Sequence, residues 1–186
     1  LKKGLSLTMT MILAFLFIGG ITVYKVMNNA SEYERKHTVE TTAVAKKDTA
    51  KEKKEQTGYI GGVQYDIKLD KSSSQEAVIE VMHKMTHQKV KAKEKWGAVP
   101  MIPDTINQVY QIVKNSHFDL RADLLAILEK WKKGDFAEIA EDHNFFWQQQ
   151  GGTVGKAYGT MTKAEEKTFI ANNFSDEIAK QDSPQP

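Results

Sequence analysis

The chain has 186 residues, with 26 basic and 24 acidic side chains, a net charge of +2, and no cysteine. A near-neutral balance without a base-reading motif excludes a nucleic-acid partner. The lack of cysteine excludes disulfides, a cysteine nucleophile and a lipid-acylated leader.

From Leu5 to Tyr24 no residue carries a charge, while Lys2 and Lys3 precede the run and Lys25 follows it. A helix of that length, at about 1.5 Å per residue, spans a hydrocarbon core of about 30 Å. The run is long for a signal peptide, and Asn28-Asn29-Ala30 is a poor cleavage site, so an uncleaved single-pass anchor over 1–27 is expected. Gly19-Gly20 lacks the spacing of a dimerising glycine motif. Lys2 and Lys3, packed against the run, favour an inner N-terminus and an extracytoplasmic C-terminal domain at the cell membrane, although Lys25, Arg35 and Lys36 nearly balance them. Leu1 in place of Met is read as a non-AUG start codon or a numbering choice.

Residues 28–62 are rich in Lys, Glu and Thr and poor in large apolar side chains. Such a composition buries too little apolar area to offset ordering entropy, so a flexible polar tether is expected, with helix favoured in its Lys-Glu-Ala runs. Residues 63–180 are long enough for one domain with a modest core, and 181–186 form a polar, frayed tail.

The domain opens with Val63, Tyr65, Ile67 and Leu69 alternating with polar residues, the period of a half-buried strand that Thr153–Tyr158 can pair with. The period then turns helical. Ser73 and Glu76 make a capping-box pattern for a helix to about Lys95, carrying Ala77, Val78, Val81, Met82 and Met85 inward. The stretch Trp96–Pro103 breaks it. Asp104 is expected to cap a second helix with Ile106, Val109, Tyr110 and Val113. Asp119 is expected to cap a third, with Leu124, Leu128 and Trp131 inside and Gly134 as its stop. Asp135 with Glu138 starts a fourth, which Gly151-Gly152 closes, and Thr162 with Glu165 starts a fifth. The fold class is therefore mainly α: an N-terminal transmembrane helix and a small bundle of four to five helices, with at most one short strand or hairpin.

Four motifs carry candidate chemistry. His83 and His87, four apart on a helix, share a face as a zinc pair does, but Lys84 stands where the zincin pattern has Glu, and a third ligand has to come from His117, Asp142 or His143. The stretch Gly151–Lys156 has the look of a phosphate loop, yet its spacing is short and Ala157 replaces the Ser or Thr that such a loop needs. Asp142 beside His143 can form an acid–base pair, with no nucleophile in view. Lys84, Lys89, Lys91, Lys93 and Lys95 make a basic helix end suited to anionic lipid or envelope polymers. No cofactor is expected from these motifs.

The segments Met82–Val90, Lys95-Trp96-Gly97, Trp131–Phe136, Asp142-His143-Asn144, Trp147 and Gln150–Ala157 resemble a family of short uncharacterised proteins from Bacillus and its relatives. That resemblance, over about Gln75 to Phe174, implies a membrane segment, a polar tether and a helical domain of unknown function, and transfers no catalytic residue. Its polar and aromatic signature, His83, His87, Gln88, Trp96, Trp131, Asp142, His143, Asn144 and Trp147, marks the expected binding surface. The leading functional expectation is a membrane-anchored, non-catalytic interaction or sensory domain. It would touch the bilayer through residues 5–24 and present its surface to a protein or anionic envelope ligand. The alternatives are a metal-dependent envelope enzyme using His83 and His87, and a structural membrane protein that oligomerises through its anchor.

Overall fold

The computed structural model describes residues 49–174, together with positions 47 and 178. The expected anchor, most of the tether and the C-terminal tail lie outside them, and no helix among the described residues is long and apolar enough to cross a membrane. Glu52–Pro186 group as one compact unit, and the description below concerns that unit.

Among the described residues there are six helices and a two-stranded sheet. In chain order these are α1 (49–57), α2 (Gln75–Thr86), β1 (Val90–Ala92), α3 (Pro103–Lys114), α4 (Arg121–Lys132), α5 (Ile139–Gln149), β2 (Ala157–Thr160) and α6 (Lys163–Asn173). Helix α1 lies inside the stretch expected as tether, and its Gln56 and Thr57 are buried against the domain.

Local chemistry sets the helix ends. Ser74, not Ser73, caps α2, its hydroxyl accepting from the Ala77 N–H. Ser73 serves the preceding turn, where its N–H donates to the Asp70 carbonyl. Ile102 rather than Asp104 is the cap residue of α3, with Pro103 at the first helical position, where a missing N–H costs nothing. Helix α5 begins at Ile139, because Asp135 spends its carboxylate on the Ala137 N–H of a separate turn. Thr162 and Glu165 form the expected reciprocal capping box of α6.

Beyond the helix caps, two further expectations fail. The first helix stops at Thr86 instead of Lys95, because Val90 and Ala92 alternate with lysines and enter a strand. That strand, not Val63–Leu69, is the partner of β2: Val90 faces Thr160, Lys91 faces Gly159 and Ala92 faces Ala157, antiparallel, with an irregularity after Lys91. The stretch from Val63 makes only an isolated bridge to Ala98. Lys68 takes φ +50°, which breaks the extended run, although Ile67 still reaches the core.

Both outer edges of the sheet are closed in a single row. The Gln56 carboxamide donates to the Ala92 carbonyl at 2.9 Å and accepts from its N–H at 3.0 Å. The Asn144 carboxamide does the same for Ala157, at 3.1 and 2.8 Å. Ala92 and Ala157 are register partners, so two side chains act as the missing neighbouring strands.

Helix α2 packs on α5, and α3 on α4. The main core is theirs: Val78, Met82, Met85, Val109, Leu124, Leu128, Trp131 and Phe146 are essentially inaccessible. A smaller cluster of Ala98, Phe169, Ile170 and Phe174 seats α6.

Candidate metal centre

The α2–α5 contact brings together three side chains that the sequence separates. His83 and His87 stand one turn apart on α2, and His143 faces them from α5. One ring nitrogen from each lies within 4.8 Å of the other two, and the cluster is largely buried.

The partners of each ring decide where its proton sits. His87 Nδ1 lies 2.6 Å from the Gly97 carbonyl, which only accepts, so Nδ1 carries the proton and Nε2 is bare. His83 Nδ1 lies 2.5 Å from Gln150 Oε1, which again places the proton on Nδ1. The Thr86 hydroxyl lies 2.6 Å from the His83 carbonyl and 2.8 Å from His143 Nδ1. Nε2 of His83 and of His87 is then bare, whereas His143 meets an oxygen at both nitrogens, Thr86 at Nδ1 and the Gly155 carbonyl at Nε2, so both of its neutral tautomers find a partner. His83 Nε2 and His143 Nε2 are 3.3 Å apart, and the Gly155 carbonyl oxygen lies 3.1 Å from the latter.

With its proton on Nε2, His143 donates toward His83 Nε2 or the Gly155 carbonyl; with it on Nδ1, the lone pairs of His83 and His143 converge on a position suited to a cation. Protonation is opposed: burial lowers the pKa of His83, takes His143 down to about 4 and carries His87 well below the usual imidazole range, and the neighbouring rings add to the effect on His87 and His143. The spacing fits a metal instead. With Zn–N bonds of about 2.05 Å and a tetrahedral angle, two ligand nitrogens stand about 3.3 Å apart. Neutral imidazoles whose outer N–H is held by an oxygen are the usual form of a histidine zinc ligand.

The Lys84 charge disfavours a cation at His83, and the Glu80 carboxylate acts in the opposite sense. The Lys84 ammonium pairs with Glu80 at 2.5 Å, on α2 one turn earlier. The loop that resembled a phosphate loop closes over the histidines instead. Gly155 has φ +88°, and a Cβ there would fall 2.6 Å from the Glu94 carbonyl, so only glycine sets its own carbonyl beside His143.

The other signature residues divide. Trp96 and Trp147 line a cleft of about 710 Å³ together with His83, His87 and Gln150. Gln88 is buried in a structural role, accepting from the Met101 N–H. Asn144 closes the β2 edge. Asp142 points away from His143: its two oxygens accept from Lys130 Nζ at 2.9 Å and Trp131 Nε1 at 2.8 Å, so the two do not form an acid–base pair. His117 is exposed and outside the cluster.

The basic run is likewise dispersed. Lys89 and Lys91 pair with Glu166 and Glu165. Lys95 turns inward, where its ammonium donates to the carbonyls of Gln56, His87 and Val90 and sits 4.8 Å from the Phe169 ring centre. Burial lowers its pKa to about 7, against the pull of Glu165.

Gln150, Thr86 and Gly155 are the residues that sequence reasoning missed as parts of this site; the helical spacing of His83 and His87 announced it, and His143 is the one of the three candidate third ligands that joins them. Residues 82–171, which contain all three histidines, match the model of a family of unknown function, DUF6241. No curated protein and no solved structure matches the chain.

Proposed function

We propose that this domain binds one transition-metal ion, zinc by ligand chemistry, through Nε2 of His83, His87 and His143. The observation that carries this reading is the convergence of one ring nitrogen from each of three histidines within 4.8 Å, the His83 and His143 pair standing 3.3 Å apart, the distance that a tetrahedral zinc imposes. Three nitrogen donors without a carboxylate favour zinc, copper, nickel or cobalt over magnesium or calcium. Three protein ligands leave a fourth position for water or a ligand, the arrangement of catalytic rather than purely structural sites. The cleft beside His83 and His87 gives that position a route to solvent. The uncharged run Leu5–Tyr24 and the lysines before it support an anchored domain on the outer face of a cell membrane.

The test is calorimetric titration of metal-stripped protein with zinc, paired with metal analysis. One zinc per chain is expected, and His83→Ala should lose about a hundredfold in affinity while keeping its fold, since that ring is the least buried of the three. Undiminished zinc binding in His83→Ala, or none in the wild type, sinks the reading.

A further inference from the structure

We infer that the cleft at this centre takes a neutral glycan, with a pyranose ring stacked on Trp96 and a sugar oxygen at the open metal position. This rests on the metal reading above and adds the class of ligand.

Trp96 is 74 % exposed, yet it is not loose. Its ring lies on Gly61 and Gly62, where added Cβ atoms would come within 3.1 and 3.3 Å of the indole. Trp147, on the same cleft, donates its Nε1–H to the Val154 carbonyl at 2.7 Å, and a Cβ on Gly152 would collide with it at 2.3 Å. Tyr59, 70 % exposed, adds a third ring to the lining. Large aromatic surface left in water and held there by glycines is surface kept for a ligand.

The chemistry between the rings selects among ligands. Glu55, Glu80 and Glu94 line the cleft with Lys84, Lys93 and Lys95, three acids against three bases; Lys84 is paired with Glu80, and Lys95 faces backbone carbonyls. That balance does not suit a polyanion. An extended peptide would add to a strand edge, and the edge at this cleft is β1. Its Ala92 N–H and C=O are both taken by Gln56, and its Val90 carbonyl by Lys95. A sugar needs no strand edge. The C–H face of a pyranose is weakly positive and meets the negative face of an indole, while its hydroxyls donate to carboxylates.

The experiment uses the full chain, held in a detergent without a sugar head group, zinc-loaded and zinc-free. The probe is a tetramer of N-acetylglucosamine, followed by tryptophan fluorescence, with a pool of random hexapeptides as competitor. Saturable binding is expected, unaffected by the peptides, and tighter with zinc. Trp96→Ala should weaken it about three- to tenfold and Trp96→Phe should restore part of the loss. Zinc stoichiometry should be unchanged in both variants. No saturable binding by protein that holds zinc, binding indifferent to Trp96, or displacement by the peptides overturns the glycan assignment. A chain that fails to take up zinc overturns the metal reading instead, and the separate zinc titration reads that failure directly.

Discussion

Asp142 and His143 are neighbours on α5 and point into two different polar clusters. The cluster around Asp142 is closed. A carboxylate meets an indole N–H and an ammonium, and every lone pair that matters has a proton aimed at it. The cluster around His143 differs: ring nitrogens of three histidines and a carbonyl oxygen converge, and the protons of His83 and His87 are turned outward. The first arrangement is complete as it stands and serves stability. The second is the one proposed to take a cation. Buried polarity therefore has two meanings, and the direction of the protons tells them apart.

The sharpest way to break this comparison is to remove the closing acid. Asp142→Ala strands a buried indole N–H and leaves the Lys130 ammonium with Glu138 alone, and should cost about 3 kcal/mol in a urea unfolding titration. Zinc stoichiometry of the fraction that folds should stay at one per chain. The reverse holds on the other side of the helix. His87→Ala should abolish measurable zinc-induced stabilisation in thermal melts, an effect worth about 2.7 kcal/mol at a hundredfold excess over Kd.

A smaller effect is expected from the residue that faces His143 Nδ1. Thr86→Val should weaken zinc binding about ten- to a hundredfold, and Thr86→Ser should restore it, because the hydroxyl and not the methyl supports the tautomer with Nε2 bare. Equal affinity in the valine variant would remove that role.

Acid offers a further discrimination. Burial holds the pKa values of His83, His87 and His143 in the folded protein below the usual imidazole value of 6.5. The unfolded chain then binds protons that the folded one refuses. Their contribution to metal-free stability is full above pH 6.5 and declines as pH falls toward about 4, the value for His143. Melting temperatures of the stripped protein between pH 7 and pH 4.5 should trace that decline. His83→Ala should flatten it only in part. The gentlest perturbation is Gln56→Ala, which uncaps the β1 edge and should cost about 1–2 kcal/mol without altering zinc affinity.

Much of the helical plan was legible because it is local. The Thr162–Glu165 box, the stop at Gly134 and the apolar stripes of α3 and α4 all depend on residues within a few positions of each other. What escaped was non-local or too short. Strand β1 has three residues, two of them small or β-branched and hidden among lysines that read equally well as a helix end. The alternation from Val63 is real in burial, since Ile67 is inside, but one residue at positive φ decides against a strand. The metal centre was half visible. Helical spacing aligned His83 with His87, whereas His143 joins from 60 positions away through the packing of α2 on α5, which no periodicity encodes.

The ammonium of Lys95 adds a mechanical consequence. It fastens the last turn of α1, through the Gln56 carbonyl, to the backbone of a proposed metal ligand, through the His87 carbonyl. One side chain therefore ties the end of α1 to the end of α2, so any shift of Gln56 is felt at the backbone of His87 without passing through the main core.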